Sequence, residues 1–392
     1  MSLGGNGSPV ALRQVDMATS TEFPSIAPLS LDRVCVVIPA FNEEKLVSRC
    51  VASVLRAGLA AHQVFVIDDC SSDRTRDVLA DFDGIHVISN PERLGKVRGL
   101  ERAIDICRLT ERFEFIALLD ADSHVDPMYF DAVLRAFRSD ANAVLVCGTP
   151  RSERASWITA FRGMEYAVGG WIYKEGQAAM GVIAVAPGCA STYRSAVVPM
   201  LDWHGGTLVE DMDLTVQVHR RQLGTVLYAA GAVSHTQDPQ RLRDYIGQIT
   251  RWYSGSWQVM RLHQLGRRSQ RIDLEFALLV AEGLIYSVVL SLLPVLVFLF
   301  PTIILRCVAF EQLLTAAIAL FTAIRLRRAD IFFWCPTFSL LRLINAFVWI
   351  RTFWAEVIRR QTLRVWFTPE RYEGDGPMRC AVGGGSEEVA CA

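Results

Sequence analysis

The sequence predicts an α/β domain with a mainly parallel sheet, followed by an α-helical membrane region. Three observations carry this. Short β-branched runs alternate with amphipathic helical stretches between Val34 and Cys147, two of those runs end in acidic pairs, and a long apolar stretch opens at Phe276. Strand–helix alternation is the pattern of a sheet covered by helices on both faces.

The elements follow in order. Val34-Cys-Val-Val-Ile-Pro39 is a continuous apolar run of the kind buried on both faces of a sheet. Leu46, Val47, Val51, Val54 and Leu55 then recur at helical spacing. Val64-Phe-Val-Ile67 is a second buried strand, ending in Asp68-Asp69; Asp77 to Phe82 is a short helix and His86 to Ser89 a third strand. Gly95 to Leu109 reads as a helix, and Phe115 to Leu119 as a fourth strand ending in Asp120-Ala-Asp122. A helix from Pro127 to Phe137 accepts proline in its first turn, and Ala143 to Cys147 is a further strand. Beyond it lie an aromatic stretch (Trp157, Phe161, Tyr166, Trp171), a small-residue stretch over Ala186–Ser191, and a helix entered at Glu210-Asp211. Arg241 to His263 is a basic helix carrying Tyr245, Trp252, Tyr253 and Trp257.

Composition narrows the function. The chain of 392 residues has 40 Lys and Arg against 41 Asp and Glu, so it lacks the basic excess of a nucleic-acid-binding protein. Apolar residues make up 51%, which excludes a disordered chain. Ten cysteines without CxxC spacing argue against a zinc site or a disulfide framework. Residues 1–31 are expected to form a flexible tail rich in Gly, Ser, Thr and Pro, with no apolar signal segment.

The chemistry sits at the strand ends, where ligands bind in open α/β sheets. Asp120 and Asp122 offer hard oxygens suited to Mg²⁺ or Mn²⁺, although a D-x-D also occurs in plain acidic turns. Asp68-Asp69 could bond a nucleoside or cap a helix; Lys96 could meet phosphate at a helix start or be a solvated lysine. A carboxylate at Glu210-Asp211 could act as general base, or complement the helix dipole. Gln248, Arg251 and Trp252 share one helix face, giving an amide, a cation and a flat ring. The bland alternative for that helix is an amphipathic helix on a membrane surface.

In order, Val36-Val-Ile-Pro-Ala-Phe-Asn-Glu-Glu44, Val66-Ile-Asp-Asp69, Gly95-Lys96, Leu119-Asp-Ala-Asp122, Glu210-Asp211 and Gln248-Ile-Thr-Arg-Trp252 resemble the family 2 glycosyltransferases of GT-A fold. The resemblance is to the membrane-bound synthase branch, with cellulose, chitin, hyaluronan and poly-N-acetylglucosamine synthases. It covers about residues 34–258 and implies a Rossmann-like nucleotide-sugar domain over 32–270. By that resemblance, Pro39, Phe41, Glu43, Asp68 and Asp69 hold the uridine end of a UDP-sugar, with Lys96 nearby. Asp120 and Asp122 meet the diphosphate and metal, and Asp211 is the base. Gly188 and Cys189 fall at a small-residue acceptor motif; Glu210, Gln248, Arg251 and Trp252 line diphosphate and acceptor. His124 and His235 are secondary candidates for a metal contact; such histidines more often pack or hydrogen-bond in a loop. The implied partners are a UDP-sugar donor, a glycan or lipid acceptor and the bilayer. The sequence departs from the family at Val209, where many relatives carry Thr or Ser, and at Pro187-Gly-Cys-Ala190; unlike in cellulose or hyaluronan synthases, no membrane helix is expected before the catalytic domain. A non-catalytic nucleotide-sugar-binding regulator is the rival, and a non-processive glycolipid transferase a variant of the first reading.

The membrane region is expected over 271–362, with spans at about 276–299 and 302–324. Phe276 to Leu305 carries one charge, Glu282, over more than the roughly 20 residues a span needs. Pro336, Arg342 and Asn345 interrupt Ile331–Ile350, which is expected to be re-entrant or interfacial, with Arg342 reaching headgroups. Arg325, Arg327 and Arg328 then lie on the cytosolic side with the catalytic domain and a cytosolic tail over 363–392. Within that tail, the family resemblance implies that Trp366 to Arg371 lies near the active site.

Overall fold

The computed structural model describes residues 29–203, 206–363 and 369–373. Among them, one sheet contains β1 (Val34–Ala40), β2 (Val64–Asp68), β3 (His86–Ser89), β4 (Phe115–Leu118), β5 (Ser123–Val125), β6 (Ala143–Ser152), β7 (Ser191–Arg194) and β8 (Thr225–Thr236). Their order is β3-β2-β1-β4-β7-β6-β8-β5. The first four are mutually parallel, as the alternation predicts. The sheet as a whole is mixed, because β7 runs antiparallel to both β4 and β6, and β5 antiparallel to β8.

Helices α1 (Val47–Arg56), α2 (Thr75–Ala80), α3 (Lys96–Ile106), α4 (Leu109–Arg112), α5 (Tyr129–Ser139), α6 (Trp157–Val168), α7 (Glu175–Ala179), α8 (Glu210–Arg220) and α9 (Leu242–Leu262) accompany it. Period-two alternation splits β1 between two cores. Val34, Val36 and Ile38 pack with Val47, Val51 and Phe130, whereas Cys35 and Val37 pack with Leu100 and Ile104. Each such fully buried aliphatic side chain is worth about 1.5–3 kcal/mol, so both faces hold the β1 register. Leu29 also joins the core, its carbonyl accepting from Arg138, so the packed chain begins before residue 32.

Among the described residues, three helices are long and apolar enough to cross a membrane, at Arg271–Leu299, Pro301–Leu326 and Ala329–Ile358. They comprise α10 (Arg271–Leu299), α11 (Pro301–Leu326), and α12 (Ala329–Trp334) with α13 (Phe338–Phe353). Pro336 lies in the 3₁₀ turn Cys335–Thr337 that joins the last two. The first turns of α10 are anchored to the sheet domain: Asp273 accepts from Arg220 Nη1 and Nη2, both at 2.6 Å, and Ile272 and Phe276 pack on Val216 and Val259. Further along, α10 exposes Ile285 (66%) and Phe298 (84%), apolar surface of the kind that membrane or protein contacts cover. At the end of α11, Arg328 Nη1 donates to the Ser152 carbonyl at 2.5 Å, so the chain is back at the sheet domain. Arg342, expected to reach headgroups, pairs with Glu311 on α11 and lies 3.0 Å from Thr315 Oγ1.

Candidate active site

The carboxyl ends of β1, β2 and β4 open into a cavity of about 1030 Å³. Pro39, Phe41, Glu43, Asp69, Lys96, Asp120, Asp122, Gly188, Cys189, Glu210, Asp211, Gln248, Arg251 and Trp252 all line it. Asp68 is not among the lining residues. Neighbouring strand-end side chains point to opposite sides. Asp68 therefore turns to the Ser71 N–H (3.0 Å) and to Arg76, and these bonds outweigh burial to hold its carboxyl below the ordinary range. Asp69 faces the cavity rim and organises it, accepting from Asn90 Nδ2, Leu94 N and Gly95 N, each at 2.8 Å. Gly95, at φ +84°, precedes α3 and so puts Lys96 at the helix start.

Lys96 sits between the loop after β4 and the start of α8, its amine 2.6 Å from both Asp120 Oδ1 and Glu210 Oε1. Although burial opposes the charge, these two carboxylates hold the ammonium well above its usual range. Gly188 leaves room for this arrangement: a Cβ there would come 2.9 Å from Lys96 Nζ. Its N–H donates to Asp211 Oδ2 at 3.1 Å, and Met212 N donates to Asp211 Oδ1 at 2.8 Å. Burial first, and the Glu210 charge second, raise the Asp211 carboxyl, with Lys96 opposing them. A carboxylate so placed is a stronger proton acceptor than a free aspartate. Cys189 is buried, which pushes its thiol well above the ordinary range and makes it inert.

Pro369 and Arg371 also line the cavity, whereas Trp366, Phe367 and Thr368 lie outside the described residues. Arg371 reaches Asp122 Oδ2 (2.6 Å) and Glu43 Oε1 (2.6 Å). Tyr372 anchors this segment by exchanging bonds with Gln237, at 3.0 and 2.9 Å. Burial, eased by Arg371, pushes Glu43 up to about 7. The donor set of Asp120 and Asp122 fits Mg²⁺ or Mn²⁺, which take one or two carboxylates and fill their remaining positions with phosphate and water oxygens. Asp122 meets Arg371 here, so a cation there would share or displace that guanidinium. His124 and His235 stack on each other with centroids 4.7 Å apart, and their ring nitrogens meet Arg49, Glu153 and Asp126. They face each other as a register pair on β5 and β8, and these hydrogen bonds hold them there. Among the described residues, no three His, Cys, Asp or Glu side chains are grouped to hold an ion unaided.

Sequence reasoning missed Arg162, Tyr166 and Asp238. Tyr166 and Asp238 line the cavity, and Arg162 stands behind it, bonded to Gln248. The available signal was a lone cation in the apolar stretch Trp157–Val168. Substituting Gly188 by valine is expected to push the Lys96 amine off its two carboxylates. Turnover should fall by about tenfold, the scale of one lost charge-assisted hydrogen bond. Steady-state kinetics would check this, and unchanged turnover would show that the Lys96 bridge is dispensable.

The family described as "Glycosyltransferase like family 2" matches residues 32–255. The probable glycosyltransferase YdaM of Bacillus subtilis (strain 168) is 27% identical over 241 residues, covering 59% of this chain and 56% of the relative. The poly-β-1,6-N-acetyl-D-glucosamine synthase of Staphylococcus aureus (strain COL) is 24% identical over 245 residues, covering 60% of this chain and 58% of the relative. The chain thus spans a little over half the length of these relatives. A mannosyltransferase from Pyrobaculum calidifontis, solved with GDP-mannose and Mn²⁺, superposes with a TM-score of 0.56 at 16% identity, over 83% of this chain and 88% of that one. That likeness establishes a shared fold.

Proposed function

The chain belongs to the family 2-like glycosyltransferases, and on that premise we propose that it moves a sugar from a UDP-sugar to a hydroxyl of a glycan or lipid acceptor, with inversion to a β-linkage. One observation carries this reading: Asp120, Glu210 and Lys96 converge at the strand ends beside Asp211, whose carboxylate is held by the Gly188 amide. Asp211 takes the proton from the acceptor hydroxyl as its oxygen attacks the anomeric carbon opposite the diphosphate. Lys96 and Arg251 offset charge on the departing UDP, a preorganised electrostatic role. Mg²⁺ or Mn²⁺, held by Asp120 and Asp122, would supply Lewis-acid stabilisation of the diphosphate. Pro39, Phe41, Glu43 and Asp69 form the nucleoside side, with Asp68 behind it. Gly188, Cys189, Gln248 and Trp252 form the acceptor side. N-acetylglucosamine is the first sugar to test, by likeness to the Staphylococcus aureus synthase. Incubating the purified protein with UDP-N-acetylglucosamine, other UDP-sugars and GDP-mannose, with mass spectrometry of the products, tests donor choice.

The protein is proposed to be integral to the membrane with its catalytic domain cytosolic, crossing twice. The geometry supports an even number. α10 leaves the sheet domain at Asp273, and Arg328 meets Ser152 after α11. The segment 329–358 starts against α6, where Ile331 packs on Ile158 and Phe161. It ends against α9, where Gln258 Nε2 donates to Glu356 Oε1 at 2.8 Å. Arg371 then reaches the cavity. The segment 329–358 is therefore proposed to lie along the inner interface or to re-enter, although it is long enough to cross. In a cysteine-free variant of the whole chain, single cysteines at Thr302 and Gly384 give the test. An impermeant thiol reagent applied to intact cells should label the first and spare the second. Labelling at Gly384 would overturn the two-crossing topology.

A further inference from the structure

We propose that Arg162 is a positioning residue that sets the acceptor side of the cavity by holding Gln248 and Trp252. The inference rests on the reading above that those two residues meet the acceptor. Arg162 projects from α6 and is 4% exposed. Its Nη2 donates to Gln248 Oε1 at 2.9 Å, and its Nη1 to Glu165 Oε2 at 2.8 Å. The guanidinium carbon stands 4.5 Å from the Trp252 ring centroid and 4.8 Å from that of Tyr245, within cation–π range of both.

Two consequences follow. A guanidinium has donors only, so Gln248 must turn its oxygen to Arg162. Its amide N–H groups are thereby assigned to the cavity it lines, where they can meet the hydroxyl oxygens of an acceptor sugar. The flat cation also fixes the tilt of Trp252, the ring on which a sugar face would rest. Helix α9 alone sets neither orientation, because each side chain has more than one staggered rotamer open to it.

The cost of this arrangement argues for function. A buried ion pair is weak support for stability, and apolar residues of similar volume often serve a fold as well. Here the match is incomplete: Arg162 Nε is buried without a hydrogen-bond partner, and its nearest carboxylate oxygen there, Asp238 Oδ1, is 3.9 Å away. The groups that hold Arg162 are themselves braced. Glu165 Oε1 accepts from Asn345 Nδ2 (3.3 Å), and Asn345 Oδ1 accepts from Tyr245 (2.6 Å), tying the cluster to α13.

The test uses the full chain in its membrane and radiolabelled UDP-N-acetylglucosamine, separating transfer into membrane-bound product from hydrolysis to free sugar. Hydrolysis uses water and needs no acceptor surface. Arg162→Gln should lower transfer by about 10²-fold, the scale of a small misplacement of reacting groups, and leave hydrolysis unchanged. Arg162→Lys, which keeps the charge and one bond to Gln248, should fall between. If Arg162 acts through Gln248, adding Gln248→Ala to Arg162→Gln should cost nothing further. Parallel loss of transfer and hydrolysis, or additive losses in the double variant, would overturn the proposal. If the wild type consumes no UDP-N-acetylglucosamine, the donor reading fails instead, and hydrogen exchange decides the matter. Exchange over 245–256 should quicken in Arg162→Lys while β1 and β4 stay protected; unchanged exchange would overturn the inference.

Discussion

Asp211→Asn is expected to lower turnover by about 10²–10⁴-fold, the usual worth of general base catalysis, while UDP binding survives. The substitution keeps size and shape and removes proton acceptance. The Gly188 N–H at 3.1 Å still finds an acceptor in the amide oxygen, so the loop should not collapse. The same residue governs the pH profile. The base works deprotonated, and burial together with Glu210 raises its carboxyl. Activity should therefore fall as the medium is acidified, with the acid limb above the ordinary aspartate range of about 4. Asp211→Asn should abolish that limb in whatever activity remains. Near-normal turnover in the variant would place the base elsewhere.

Asp122→Asn is expected to cost about 10²–10³-fold in turnover and to weaken the response to added Mg²⁺ or Mn²⁺, since losing one preorganised electrostatic contact at a departing oxyanion has that scale. EDTA should do the same to the wild-type protein, reversibly. Asp122 lies in the DxD loop beside Arg371 and Ser123, and its carboxyl is raised chiefly by burial, with Arg371 opposing. The variant leaves Arg371 bonded to Glu43, so the strap over 369–373 should stay in place. Full activity in chelator would remove the metal from the account.

The legible parts of the fold were those with local signals. β1, β2 and β4 are continuous apolar runs closed by acidic or turn residues, and α10 and α11 are long and apolar. β5 and β7 were not legible: three and four residues, Ser123–Val125 and Ser191–Arg194, are too short for any period to register. β8 carries small residues at Ala229, Ala230 and Gly231 and owes its extended form to pairing with β6, a partner remote in sequence. Missing β7 hid the mixed character of the sheet, because it is the strand inserted between β4 and β6.

The candidate site divides the same way. Strand-end carboxylates and the Gln248–Trp252 helix face could be read from spacing. Arg162 meets Gln248 across 86 positions and Arg371 meets Glu43 across 328, distances that no local pattern encodes. Asp68 and Asp69 looked equivalent in sequence, yet the pleat sends one to Arg76 and the other to the α3 entry.

The central claim is that this cavity transfers sugar from UDP. The most direct test is release of UDP by the purified full-length protein, incubated with a panel of UDP-sugars and with Mg²⁺ or Mn²⁺, set beside UDP binding measured on the same preparation. The account predicts metal-dependent UDP release with at least one donor, lost in Asp211→Asn while UDP binding persists. Protein that binds UDP and releases none from any donor would contradict it and would favour a nucleotide-sugar-binding regulator.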